Sequence, residues 1–168
     1  MPDITFRDPR LRRMAAFLTS IGIRMNAGRV DGETVFPGSL ISGGSLVIDE
    51  GKLLSPGDAL HEAAHIALAP PDRRARDFAF LSDADGGEEI AAIAWCWAAL
   101  LELDLQPEEV FHPTAYPRGD SSTIIAAAKR GVFIGFPLLQ AWGMAFDAAH
   151  ARPRGVAPFP HMVRWMRY

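Results

Sequence analysis

The stretch SPGDALHEAAHIAL, residues Ser55–Leu68, decides how this chain is read. Ser55 suits an N-cap, because its hydroxyl can accept from an orphan amide of the first turn. Pro56 beside it brings a helical φ and lacks an N–H that the first turn has no use for. The spacing predicts a helix from Pro56 to about Leu68, ended by Pro70-Pro71. Inside it, residues 61–65 read His-Glu-Ala-Ala-His. Positions i and i+4 share a helix face, so His61 and His65 can turn two imidazole nitrogens toward one ion. Glu62 lies about 100° further round, where it can take a proton from an attacking water as general base. Leu60, Ala63, Ala64, Ala67 and Leu68 make the other side apolar, the pattern of a helix with one face in the core and one lining a site.

Two imidazoles do not complete a metal site. Structural zinc takes four protein ligands, and catalytic zinc takes three and leaves a position open. Cys96 is the single cysteine, so neither a Cys-based zinc site nor an internal disulfide is possible. Leu68 and Pro71 stand where an HExxHxxGxxH pattern needs glycine and histidine. The third ligand must come from elsewhere, and Glu88 and Glu89 follow directly after Gly86-Gly87 at the predicted start of another helix. Acidic residues are favoured there by the helix dipole as well, and the periodicity of the following apolar residues separates the two glutamates only slightly.

Around this centre the chain has the composition of a folded domain. It has 168 residues, 49% hydrophobic and 22% charged, which is enough apolar material for one ordinary core and no sign of disorder. The formal charge of −3 carries no case for nucleic acid. The arginines at Arg10, Arg12 and Arg13, at Arg73, Arg74 and Arg76, and at Arg152, Arg154, Arg164 and Arg167 read as solvated surface. Met1 to Arg13 has charges but no apolar signal region, and no apolar run reaches about 20 residues, so neither secretion nor a membrane span is expected. The location expected is cytoplasmic.

Before Ser55, helical periodicity runs from Phe6 to Ile21, with Gly22 as a stop. Turn signals then separate short predicted strands at Thr34–Phe36, Ser39–Ile41 and Ser45–Ile48. After the HEAAH segment, helices are expected from Glu88 to about Leu103, from Pro107 towards Phe111, from Ser121 to Lys129 and from about Pro137 to His150. One helix, a small sheet and a run of helices define an α+β fold, expected as a single domain over residues 1–168.

The segment His61-Glu62-Ala63-Ala64-His65, followed after a short acidic loop by Glu88-Glu89-Ile90-Ala91-Ala92-Ile93-Ala94, resembles the small bacterial gluzincins of the ImmA/IrrE type over about residues 40–105. That resemblance implies a zincin-like fold, with a small β-sheet packed on helices and an HExxH active-site helix. In the family a large apolar residue and then alanine follow the ligand glutamate at about four and five positions. Ile93 and Ala94 stand so from Glu89, which makes Glu89 the implied ligand and Glu88 the reserve. Ala91 departs from the asparagine or aspartate usual two residues after the ligand, and no helix-turn-helix segment is read in this chain.

The expected function is therefore that of a zinc metallopeptidase-like hydrolase acting on a peptide or protein, with one Zn²⁺ per chain held by His61, His65 and Glu89. Glu62 would be its general base. The alternatives are a non-proteolytic zinc-binding regulatory or interaction protein, and a hydrolase of non-peptide amides or esters. His112 and Tyr116 are the candidates for an oxyanion donor. Asp83 and Asp85 could orient a ligand imidazole. Trp95, Trp97, Trp142 and the phenylalanines are expected in the core, with Cys96 buried and inert, and His150 and His161 on the surface.

Overall fold

A computed structural model describes residues 5–74, 86–116 and 119–168. Helix α1 (Pro9–Ser20) starts where the Asp8 carboxylate accepts from the Arg10 amide, and it buries Leu11, Met14 and Leu18 along one face. The chain leaves it through Gly22, whose φ of 95° is open to glycine at little cost. A three-stranded sheet follows in the order β1 (Met25–Ala27), β3 (Ser45–Ile48), β2 (Ser39–Ser42). β2 and β3 form an antiparallel hairpin closed at Ser42 and Ser45 by Gly43-Gly44, both at positive φ as a two-residue turn of this kind requires. β1 runs parallel to β3.

Two of the expected elements are corrected here. Thr34–Phe36 is not a strand: the Thr34 hydroxyl and the Ser39 amide both donate to the Phe36 carbonyl, which folds the segment on itself. The third strand is Met25–Ala27 instead, a segment without β-branched residues that is held by pairing with a partner some twenty positions on. The single helix expected over Pro137–His150 is two, α7 (Phe136–Ala141) and α8 (Ala148–Ala151). Gly143 at φ 66° turns the chain between them, the Met144 carbonyl accepts from Val163 and Arg164, and Asp147 caps α8.

The remaining helices are α2 (Pro56–Leu68), α3 (Pro71–Arg74), α4 (Gly86–Glu102), α5 (Pro107–Val110) and α6 (Asp120–Lys129). The described residues thus form a mixed α+β fold with eight α-helices and a small sheet lying on them. Its centre is α2, every residue of which is buried. The Ser55 hydroxyl caps α2 at Gly57, and Gly57 itself lies so close to Glu109 and Val110 that a Cβ there would meet the backbone of α5. α4 packs along α2 through small residues, with Ala63, Ala64 and Ala67 on one side and Ala91, Ala92 and Ala99 on the other fully buried. Trp95, Cys96 and Leu100 fill the space between and around them.

The C-terminal end of α2 is finished by arginines, and this corrects their reading as solvated charge. Arg74 donates from Nε to the Ile66 carbonyl at 3.0 Å and from Nη2 to the Ala69 carbonyl at 2.8 Å. The Arg167 amide donates to the Ala67 carbonyl at 2.9 Å. Carbonyls left over at a helix end are thereby satisfied without water. No helix among the described residues is long and apolar enough to cross a membrane.

Candidate metal centre

Asp58, His61, Glu62 and His65 occupy positions i, i+3, i+4 and i+7 of α2 and so share one side of it, facing the start of α4. The two imidazoles meet at their Nε2 atoms, 3.0 Å apart. Glu89, in the first turn of α4, brings Oε1 to 3.3 Å from His65 Nε2 and Oε2 to 3.7 Å from His61 Nε2. His61, His65 and Glu89 form a group able to hold a metal ion, the donor atoms of all three lying within 4.8 Å of one another. The imidazoles are buried, with 6% and 2% of their side chains exposed, whereas Glu89 is 42% exposed. The cluster therefore has a closed back and an opening on the Glu89 side.

Glu88 is turned away. It is buried, and its carboxylate pairs with Arg73 and, at 3.5 Å, with Arg167. Arg167 also stacks its guanidinium 4.0 Å above the Trp142 ring, which fixes the charge that Glu88 meets. One turn of α4 thus presents a carboxylate to the arginines and its neighbour to the histidines. α7 sets that turn from the other side: Gly135, at φ 86°, lies against the Ile90 carbonyl with no room for a Cβ.

Charge in this pocket follows burial. The Glu62 carboxyl is pushed up to about 8, first by burial and then by the negative charges of Glu89 and Asp58. Burial likewise lowers His65 to about 4. Glu89 is held below the ordinary carboxylate range chiefly by the adjacent His61 imidazole, against the opposing effect of its own partial burial. Tyr116 is raised well above 10, chiefly by burial, so its phenol keeps its proton.

His112 and Tyr116 lie in the segment after α5, and each already has a partner. His112 Nε2 is 2.6 Å from Asp58 Oδ1. The Tyr116 hydroxyl is 2.7 Å from His61 Nδ1, on the side of that imidazole away from the converging nitrogens. Asp58 is the residue that sequence reading passed over; its position three residues before His61 on one helix face was the available signal. Phe36 is another, its ring 5.1 Å from the His61 ring. Asp58 Oδ2 and His65 Nδ1 are buried without a hydrogen-bond partner among the described residues. Asp83 and Asp85 lie outside those residues, and His150 and His161 are exposed. Cys96 is fully buried, and burial raises its thiol far above the usual range, which leaves it unreactive.

No protein-family model matches this chain, and no curated protein or solved structure is significantly similar to it.

Proposed function

We propose that this protein is a zinc-dependent, metallopeptidase-like hydrolase of the gluzincin type, with a zincin-like fold related to that of the ImmA/IrrE group. The observation that carries the reading is the convergence of His61 Nε2, His65 Nε2 and the Glu89 carboxylate beside a buried Glu62. The donor set fits zinc. Two imidazoles and one carboxylate are the borderline ligands this ion takes, and three protein ligands match a catalytic rather than a structural site. A tetrahedral ion with bonds of about 2.0–2.1 Å holds its ligand atoms about 3.3 Å apart; here the two Nε2 atoms are 3.0 Å apart, and one Glu89 oxygen lies 3.3 Å from His65 Nε2 while the other lies 3.7 Å from His61 Nε2.

Zinc bound there would supply Lewis acidity to polarise a scissile carbonyl. The chain's own contribution is proton handling and orientation. Glu62 takes a proton from the attacking water and later delivers it to the leaving amine. Its burial beside the three converging groups places it for both halves of that task. Glu89, 42% exposed, is the member of the cluster that solvent reaches.

The second reading is a non-proteolytic zinc-binding regulatory or interaction protein. One observation favours it: both candidates for an oxyanion donor are engaged, His112 with Asp58 and Tyr116 with the rear of His61. A peptide-library assay with and without chelator separates the two. Cleavage that chelator abolishes and zinc restores supports the hydrolase; no cleavage by zinc-loaded protein supports the second reading.

A further inference from the structure

We propose that Tyr116 is a positioning residue for His61, its phenolic oxygen accepting the Nδ1 proton so that the Nε2 lone pair faces the ligand cluster. The inference rests on the metal reading above and deepens it. A neutral imidazole carries one ring proton, and a nitrogen that binds metal must be the one without it. His61 Nε2 points at His65 and Glu89, so the proton belongs on Nδ1, and among the described residues the Tyr116 oxygen, 2.7 Å away, is placed to accept it. With the opposite tautomer, Nε2 would direct a proton into the cluster and offer no lone pair.

Tyr116 is itself held from three directions. Its amide donates to the His112 carbonyl at 2.9 Å. His112 is anchored on Asp58, one turn before His61 on the same helix, and its Nδ1 lies 3.4 Å from the Ala115 amide. That amide leaves Nε2 as the donor to the Asp58 carboxylate. Finally, the Tyr116 ring lies 5.4 Å from Phe111, which is buried and stacked on Trp97. The segment 111–116 is thus clipped to α2 at two points on one face, and the second clip is the Tyr116–His61 contact. His65 has no such support on its far side: its Nδ1 is buried without a hydrogen-bond partner among the described residues. The two ligand histidines are not equivalent, and the tyrosine belongs to one of them.

The test is zinc affinity by chelator competition in wild type, Tyr116→Phe, His112→Leu and His112→Gln, with long-range ¹H–¹⁵N spectra of the zinc-loaded histidines. Tyr116→Phe keeps the ring and its packing, and is expected to bind zinc ~10–100-fold more weakly. The His61 Nδ1 proton should also move upfield as it loses its acceptor. His112→Leu should weaken zinc binding as well, and His112→Gln, whose amide can still donate to Asp58, should restore it. Wild-type affinity and an unshifted Nδ1 resonance in Tyr116→Phe overturn the inference alone. A wild-type protein that takes up no zinc overturns the metal reading and the inference with it.

Discussion

Glu62, Glu88 and Glu89 share a side chain and differ in everything around it. Glu62 is buried among other carboxyls, Glu88 is paired with two guanidiniums, and Glu89 is half in solvent against two imidazoles. Different losses follow. Glu62→Gln keeps the shape but accepts no proton, so zinc stays bound while hydrolysis falls by about 10²–10⁴-fold; an assay at saturating zinc reads both. Glu88→Ala removes the buried carboxylate that meets Arg73 and Arg167, and denaturant unfolding should show a loss of about 1.5–3 kcal/mol. Glu89→Ala, at a position open to water, should leave the unfolding of zinc-free protein within about 0.5 kcal/mol of wild type. The two neighbours are thereby told apart, one by stability and the other by metal. Sequence alone named both without separating them by periodicity, because what turns Glu88 away is a pair of arginines, one of them 79 residues distant.

At the scale of elements, α2 is the part whose reading needed no tertiary information. Ser55, Pro56 and Pro70 mark its ends in the sequence, and the spacing of His61 and His65 places both on one face. Elements that depend on distant pairing were harder to see. β1 is three residues long and has no β-branched residue, too short for its alternation to stand out, and it is a strand because β3 offers it an edge. Thr34–Phe36 has the opposite character, good strand residues with a local hydrogen bond that competes. The helix expected through Pro137–His150 breaks at Gly143, where the returning C-terminal segment takes the backbone bonds of Met144. Contacts across α4 were equally hidden, and they matter for the site. Gly135→Ala should force α7 away from the Ile90 carbonyl, one residue from Glu89. Thermal unfolding should show a loss of about 1–3 kcal/mol from strain and overpacking, with zinc affinity falling alongside it. Ala at Gly119, where a Cβ meets nothing within 4 Å although φ is also positive, is the control for backbone strain without the clash.

For the whole molecule, the metal would join two helices whose ligands are 24 residues apart in sequence, Glu89 and His65. The unfolded chain does not hold those groups together, so zinc binding and folding are linked. At free zinc 100 times the dissociation constant the folded state gains about 2.7 kcal/mol, which for a chain of this size raises the midpoint by about 5–10 °C. Chelator should return it to the zinc-free value, and a midpoint indifferent to zinc would count against a site between α2 and α4. The most direct measurement is zinc content per folded chain, by elemental analysis of wild type, His61→Ala, His65→Ala, Glu89→Ala and Glu88→Ala purified alike. The account predicts about one zinc per chain in wild type and in Glu88→Ala, and loss of most of it in the other three. Full zinc in both histidine variants would contradict it.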